Sequence, residues 1–186
     1  MLGRYHLAFG ISSAVATEAL AESFGYKLDA PVFYIACSAV GSIIPDIDSP
    51  NSIIGVPFYP VAKVINKIFG HRTITHDLLF AILLTIASAV TFVLTGNLAF
   101  VWVMFGYLGH LLLDGFTKDG IRWNWIKNKN TWKGSWDQFE VGKIHLLPKV
   151  LRFYSDGIVA KLFTVCLSAV LVFKAYELTG FTFLLV

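Results

Sequence analysis

The feature that most limits what this chain can fold into is a long run, Leu78–Thr95, that contains no charged side chain. A helix needs about 20 largely apolar residues to cross the hydrocarbon core of a bilayer. A second apolar stretch, 97–113, follows directly after the turn signal Thr95-Gly96-Asn97. Because this connection is so short, the two stretches are predicted to form an antiparallel helical hairpin in a membrane.

The composition of the whole chain agrees with lipid as its main solvent. Hydrophobic residues make up 56% of the 186 residues and charged residues 15%, and the mean hydropathy is +0.67. An ordinary soluble domain has about 25% charged residues. Three further apolar segments, 7–21, 30–44 and 158–173, predict helices. The sequence therefore predicts an all-α integral membrane protein with about five hydrophobic helices in one domain, 1–186.

Two polar connections separate these segments. The first contains an amphipathic stretch, 53–69, with Lys63 and Lys67, which is predicted to lie in the membrane interface. The second is a long Trp- and Lys-rich loop, 117–156. Tryptophan is favoured at the headgroup layer, so this loop is also predicted to be interfacial. Its tryptophans are Trp123, Trp125, Trp132 and Trp136.

The basic residues predict the orientation of the helices. If the five helices alternate in direction, twelve of the fifteen Lys and Arg residues fall on one side. The positive-inside rule makes that side the cytoplasm of a bacterial inner membrane. The twelve are Arg4, Lys63, Lys67, Arg72, Lys118, Arg122, Lys127, Lys129, Lys133, Lys143, Lys149 and Arg152.

The same alternation brings seven histidines and aspartates to the cytoplasmic membrane face. A His or Asp at membrane depth is costly without a partner and marks a functional site by default. A divalent cation is the partner that satisfies several such groups together. The seven predicted metal ligands are His6, Asp46, Asp48, His71, His76, His110 and Asp114.

Local spacing supports this convergence. His110 and Asp114 are four residues apart and therefore project from one helical face. Asp46 and Asp48 follow Pro45 in a segment that is not regular helix, and they share a side if it is extended. Thr75 is predicted to cap the helix that begins near Leu78. Small residues should let the second and fourth helices approach closely; they are Ser38, Gly41, Ser42, Gly106 and Gly109.

Imidazole and carboxylate ligands together suit zinc, with manganese or iron as other candidates. Four histidines and three aspartates exceed what one tetrahedral zinc ion uses. The surplus is explained by a second ion or by partners that orient the ligating imidazoles. One or two divalent ions are therefore predicted.

Three blocks of these residues resemble the YdjM-like family of membrane-bound, metal-dependent hydrolases. The resemblance implies a bacterial inner-membrane protein with His and Asp metal ligands, and phosphoester chemistry through distant kinship with zinc-dependent phospholipases C. The matching blocks, together with His6, are Ile44-Pro45-Asp46-Ile47-Asp48-Ser49-Pro50, Phe69-Gly70-His71-Arg72-Thr73-Ile74-Thr75-His76 and Gly106-Tyr107-Leu108-Gly109-His110-Leu111-Leu112-Leu113-Asp114.

The function predicted from these residues is hydrolysis of a phosphoester or similar bond by metal-activated water. Asp48 is the candidate for accepting the proton of that water, and Arg72 for holding the substrate's oxygens. A site beside tryptophans and lysines at a membrane surface indicates membrane lipid as a partner and an anionic amphiphile, such as a phospholipid, as the substrate. Nucleic acid is not expected as a partner, and the sequence leaves the oligomeric state open.

Two alternatives remain open at this stage. Intramembrane His and Asp residues can relay a small cation or a proton, but a transporter should spread them through the membrane depth. A non-catalytic membrane adaptor can use a closed metal site for structure alone, whereas a catalytic site keeps one coordination position open. No nucleophile elbow or P-loop is present, so serine hydrolase and nucleotide-binding functions are not supported.

Overall fold

The computed structural model describes residues 3–122, 143–181 and 184. Helices dominate these residues, and the only strands among them form one short antiparallel pair. Three 3-10 turns, at Ile44–Asp48, Ile74–His76 and Lys149–Leu151, lie between the main elements. The main elements are α1 (Gly3–Ser23), α2 (Pro31–Gly41), α3 (Tyr59–Phe69), α4 (Leu78–Thr95), α5 (Ala99–Gly115), β1 (Ile121–Arg122), β2 (Lys143–Ile144) and α6 (Ile158–Thr179).

All five apolar segments are helical, as predicted, but the start of α4 differs in detail. Its N-cap is Asp77, whose carboxylate accepts a hydrogen bond from the Phe80 amide at 3.2 Å. The prediction that Thr75 caps this helix was therefore wrong, because Thr75 lies in the preceding 3-10 turn. At the other end of α4, Gly96 adopts the left-handed conformation (φ 68°) that lets the chain reverse into α5.

Three described stretches are long and apolar enough to cross a membrane: Pro31–Asp48, Leu78–Thr95 and Ile158–Thr179. Helix α5 is apolar but has 17 residues, and the 21-residue α1 contains charged residues at both ends. The number of about five crossing helices is thus not confirmed. Ala81 is the one buried residue of α4 in the isolated chain, and a large apolar surface of this kind needs lipid or a partner to cover it.

Helix α5 is the centre of the bundle, with α1, α2 and α4 packed around it. The α2–α5 contact is very close, as predicted from the small residues. A Cβ atom on Gly106 would lie 1.9 Å from the Ser38 carbonyl oxygen, and one on Gly41 would lie 1.9 Å from that of Val103. Gly109 instead faces the Phe9 ring of α1, so it does not serve the α2–α5 contact.

Helix α3 begins at Tyr59 rather than near residue 53, and it is amphipathic, as predicted. Ala62 is its one buried residue, while Val61, Val64 and Ile68 are exposed. Its polar side is tied to the 3-10 turn, because the Asn66 amide donates a 2.7 Å hydrogen bond to the Asp48 carbonyl oxygen. The helix therefore presents an apolar surface outward while holding one edge of the turn.

The predicted loop 117–156 is partly structured at its two ends. Strands β1 and β2 pair with Ile121 opposite Ile144, which closes the described part of this loop against α5. Residues 123–142, with the four tryptophans of the loop, lie outside the described residues. The interfacial role of those tryptophans and the single-domain organisation stay predictions.

Candidate metal centre

Five of the seven predicted ligands lie together and buried at the end of the helical bundle. They come from α1, two 3-10 turns and α5, so separate segments of the chain are needed to assemble them. Two overlapping groups share His110, and the ligand atoms within each group lie within 4.8 Å of one another. The groups are His6, His110 and Asp114, and Asp46, His76 and His110.

The His110 ring is held in one tautomer by a backbone carbonyl. Its Nδ1 lies 2.7 Å from the Ser42 carbonyl oxygen, which accepts hydrogen bonds and cannot donate them. A neutral imidazole has one N–H, so Nδ1 carries it and Nε2 presents a lone pair. The close α2–α5 packing places this carbonyl within reach of the ring.

The His76 ring is held in the same way by Thr75. The Thr75 hydroxyl donates to the Asp48 carboxylate at 2.8 Å, so it accepts from Nδ1 of His76 at 3.0 Å. Nε2 of His76 then also presents a lone pair. The two Nε2 atoms, of His76 and His110, lie 3.2 Å apart. Two lone pairs that face each other at this distance repel unless a cation lies between them.

Two carboxylates lie close to both of these nitrogen atoms. Oδ2 of Asp114 is 3.6 Å from Nε2 of His76 and 3.8 Å from Nε2 of His110. Oδ1 of Asp46 is 3.9 Å from each of the same nitrogens. Both carboxylates are buried, and Asp114 almost completely so. Buried carboxylates of this kind require a nearby positive charge.

The donor atoms fit one divalent ion. In tetrahedral zinc sites with Zn–N bonds of about 2.0–2.1 Å, the ligand atoms lie roughly 3.3 Å from one another. The Nε2 atoms of His76 and His110 and Oδ2 of Asp114 are 3.2 to 3.8 Å apart. Because His110 has a single free lone pair, it cannot serve both overlapping groups at once. The geometry therefore favours one ion over two.

His6 lies against this cluster from α1. Its ring stacks on His110 with centroids 3.6 Å apart and an angle of 12° between the planes. Within the described residues, both of its buried ring nitrogens lack a hydrogen-bond partner, and Nε2 is 3.6 Å from Oδ1 of Asp114. A small shift of either side chain would let His6 donate to Asp114 or join the ligand set.

Asp48 lies outside both donor groups, although it was predicted as a ligand. Its Oδ1 accepts from Nδ1 of His71 at 2.8 Å, and its Oδ2 accepts from the Arg72 amide at 2.6 Å and the Thr75 hydroxyl at 2.8 Å. Residues 44–48 form a 3-10 turn rather than an extended segment. At three residues per turn, positions two apart point about 240° apart, so Asp46 and Asp48 do not share a side.

His71 also lies outside the donor groups. Its side chain is 46% exposed, and Asp48 fixes its Nδ1 as the protonated nitrogen because a carboxylate only accepts. Its ring centroid lies 6.1 Å from that of His76. His71 thus stands beside the cluster, with Nε2 left for another partner.

Arg72 connects the site to the loop that follows α5. Nη1 of Arg72 forms an ion pair with Asp119 and lies 3.4 Å from the Ser155 hydroxyl. Burial would raise the pKa of the Asp119 carboxyl, but Arg72 holds it below its ordinary value. Burial likewise opposes the charge on Arg72, but Asp114 and Asp119 raise the guanidinium pKa above its usual range. Both groups are therefore charged at neutral pH.

A cavity of about 430 Å³ adjoins the centre, and Asp46 forms part of its wall. Its size falls within the range of about 300–1,000 Å³ typical of small-molecule sites. Most of its lining residues are polar, and two of them are arginines. The lining residues are Gly3, Arg4, Asp46, Ser49, Asn51, Ser52, Ile53, His71 and Arg72.

Sequence reasoning missed the residues that orient the ligands. The Ser42 carbonyl is a backbone group, and no residue type could reveal its role. Asn66 and Asp119 reach the site only through the tertiary fold. Thr75 directly precedes His76, and that adjacency is the one signal from which an orienting role could have been inferred. His145 contacts the Thr117 carbonyl oxygen at 3.1 Å and lies outside both donor groups.

Comparison with known proteins places the chain among membrane proteins. Residues 1–181 match the family described as YdjM inner membrane protein. The chain is 38% identical to the uncharacterized protein YvsG of Bacillus subtilis (strain 168) over 122 residues, which are 66% of this chain and 71% of YvsG.

A second relative is the inner membrane protein YdjM of Escherichia coli (strain K12). The chain is 34% identical to it over 131 residues, which are 67% of this chain and 65% of the relative, slightly under two thirds of its length. The Shigella flexneri YdjM protein gives the same values. No solved structure matches the chain.

Proposed function

The chain belongs to the YdjM family of inner membrane proteins, and we propose that it acts in the bacterial inner membrane as a metal-dependent hydrolase. The observation that carries the proposal is the pair of imidazole lone pairs, on His76 and His110, that face each other at 3.2 Å beside two buried carboxylates. Such a cluster is stable with a divalent cation and strained without one.

In this proposal three side chains hold the ion: His76, His110 and Asp114. Asp46, whose Oδ1 is 3.9 Å from both Nε2 atoms, lies at the fourth position, where a water from the cavity can replace it. Imidazole and carboxylate donors suit zinc best, and manganese or iron also accept this set. When bound, the metal would lower the pKa of a coordinated water toward about 7 and polarise a substrate oxygen. Asp46 forms part of the cavity wall, so the reacting groups are reached from the cavity.

We assign proton transfer to His71 rather than directly to Asp48. Asp48 accepts from Nδ1 of His71, which fixes the ring and leaves Nε2 as the basic nitrogen. His71 lines the cavity beside Asp46 and can accept a proton from water there. Asp48 acts as a positioning residue for both His71 and, through the Thr75 hydroxyl, His76.

The substrate class that fits is an anionic phosphoester. At a membrane surface, the phosphoester we expect is a phospholipid-type amphiphile. Arg72 supplies a guanidinium on the cavity wall, and guanidinium matches phosphate oxygens in charge and shape. From the positive-inside rule we expect the cavity to lie on the cytoplasmic side. The exposed apolar face of α3 would keep the neighbouring turn at headgroup depth.

The cavity is also the feature that favours catalysis over the two alternatives. A purely structural metal site is closed by protein ligands, whereas here polar space adjoins a candidate ligand. A transport relay needs groups through the membrane depth, but the two donor groups found among the described residues cluster at one place.

The test is hydrolysis of bis(p-nitrophenyl) phosphate and of phosphatidylglycerol by the purified full chain, metal-loaded and chelated. We expect activity only in the loaded protein. His71→Ala should lower the rate by about 10²- to 10⁴-fold, the usual contribution of general base catalysis. His145→Ala is the matched control and should retain activity. Equal rates in loaded and chelated protein, or in His71→Ala and wild type, would contradict the proposal.

A further inference from the structure

The wall of the cavity beside Asp46 contains more positively charged than negatively charged side chains. Arg4 and Arg72 are both in its wall, whereas Asp46 is its one carboxylate and is assigned to the metal. Serine hydroxyls and the Asn51 amide supply further polar groups. A cavity with two guanidinium groups is suited to an anion with more than one negative charge.

The backbone at Arg72 is held in a conformation that non-glycine residues rarely adopt. Its φ is 56°, in the left-handed region, two residues after Gly70, which caps the end of α3 with φ 81°. The Arg72 amide donates to Oδ2 of Asp48 at 2.6 Å, and this bond maintains the conformation. Strain of this kind persists where the surrounding structure enforces it, often at ligand sites. Here it directs the Arg72 side chain toward the cavity and Asp119.

The Arg72 guanidinium has donors to spare. Nη1 contacts Asp119 and Ser155, but the buried Nε has no hydrogen-bond partner in the part of the chain that the structure describes. A guanidinium has five N–H donors and binds phosphate oxygens through two of them at once. The present contacts therefore leave room for an anion.

Asp119 is the group now paired with this guanidinium, and a ligand can displace its carboxylate from the ion pair. Its side chain is 43% exposed, and it lies in the turn between α5 and β1. Because Asp119 is the more exposed member of this partly buried pair, water and salt can compete for its carboxylate. A ligand with two negative charges in the cavity would attract this guanidinium more strongly than the single charge of the carboxylate does.

We propose that Arg72 is the anion-binding residue of this cavity, that its ligand is a phosphoryl group, and that Asp119 occupies the same guanidinium until that ligand displaces it. The role of this binding step in a reaction rests on the proposed hydrolase function. The binding step itself needs only Arg72, Asp119 and the cavity, and it can be measured without turnover.

The phosphoryl group has two possible sources, a lipid headgroup or a water-soluble phosphate. The structure favours lipid, since α3 exposes Val61, Val64 and Ile68 next to the turn that it holds through Asn66. An amphipathic helix in the interface would keep the cavity at headgroup depth.

The experiment is calorimetric titration of the full chain, in phosphatidylcholine nanodiscs, with inorganic phosphate and with dihexanoyl phosphatidic acid. Arg72→Gln should weaken binding by at least about tenfold, the usual effect of losing charge-assisted hydrogen bonds. Asp119→Asn should strengthen it by about fivefold, because it removes the negative charge that competes with the ligand for the guanidinium. A gain in affinity cannot result from misfolding, so this variant keeps the test decisive.

Two matched controls separate this effect from bulk charge. Asp156→Asn removes the same charge from an exposed position in the same loop, and Lys67→Gln removes a positive charge on α3. Neither should change affinity. Equal phosphate binding by wild type and Arg72→Gln, or equal effects of Asp119→Asn and Asp156→Asn, would overturn the inference.

Two further readouts assign the source and separate this inference from the hydrolase proposal. Tighter binding of phosphatidic acid than of phosphate supports the lipid source, and equal binding supports a water-soluble phosphate at the same site. Metal content is measured in the same preparations. If metal is present but Arg72→Gln binds phosphate as tightly as wild type, this inference alone is wrong. If metal is absent but Arg72→Gln still weakens binding, the hydrolase proposal alone is wrong.

Discussion

At the scale of single residues, the metal centre depends on groups that do not touch the ion. The Ser42 carbonyl and the Thr75 hydroxyl each accept from an Nδ1 atom and thereby leave two Nε2 atoms facing each other. Partners of this kind fix the tautomer and the direction of a ligating ring. The ligands and their orienting partners should therefore respond to mutation separately.

Thr75→Val tests this separation, because it removes the hydroxyl while preserving shape. We expect zinc affinity to fall by about 10- to 100-fold, the usual effect of losing an orienting partner. Thr75→Ser keeps the hydroxyl and should restore affinity. Thr85→Val is the matched control, since the Thr85 hydroxyl donates to the Ala81 carbonyl oxygen within α4. Competition with a fluorescent zinc chelator measures the affinities, and equal values for the two valine variants would contradict the assignment.

Residue roles were predictable to the extent that they depended on spacing along a helix. His110 and Asp114 project together because they are four residues apart on α5. Asp46 and Asp48 could not be separated, because their roles depend on whether the segment is extended or turned. In the 3-10 turn, the Asp46 side chain joins a donor group, whereas the Asp48 side chain accepts hydrogen bonds from His71 and Thr75.

At the scale of elements, apolar length predicted the helices well and their ends less well. Helix α4 occupies the predicted charge-free run, whereas α2 ends at Gly41 and gives way to the turn that carries Asp46. Helix ends depend on capping and tertiary contacts that a hydropathy pattern does not contain. The close α2–α5 packing was predictable because small residues are needed where two backbones approach.

Gly106→Ala tests that packing and its connection to the site. The added methyl group would collide with the Ser38 backbone, and the helices would have to separate. We expect a lower midpoint of thermal unfolding and weaker metal binding, because the Ser42 carbonyl would move away from His110. Gly109→Ala is the matched control on the same helix, where a Cβ atom meets only the Phe9 ring at 3.3 Å. Equal midpoints for both variants would show that the close approach is unimportant.

At the scale of the whole molecule, convergence of distant segments was the strongest inference from the sequence, and it rested on alternation of helices. Five of the seven ligands do meet, although only three described stretches have the length and apolarity of a membrane span. The convergence therefore does not require five full crossings. It requires that the ends of α1, α2 and α5 lie at one level, and their packing provides this.

The orientation of that level is testable with single cysteines in a Cys37→Ser, Cys166→Ser background. Asn51→Cys lies in the cavity wall, and Asn97→Cys lies in the exposed turn between α4 and α5. If basic loops remain in the cytoplasm, a membrane-impermeant maleimide should label position 97 in spheroplasts and position 51 only after lysis. The opposite pattern would place the cavity outside the cytoplasm.

The central claim is that the buried His and Asp side chains bind a divalent metal. The most direct measurement is metal content per chain by elemental mass spectrometry. The protein is purified in detergent from cells grown with zinc and manganese supplements. We predict about one equivalent in wild type and in His145→Ala, and none in His110→Ala/Asp114→Ala, because the variant removes the shared imidazole and the more buried of the two carboxylates in the donor groups. A metal-free wild type, or a variant that keeps its metal, would contradict the account and leave the cluster as a polar packing network.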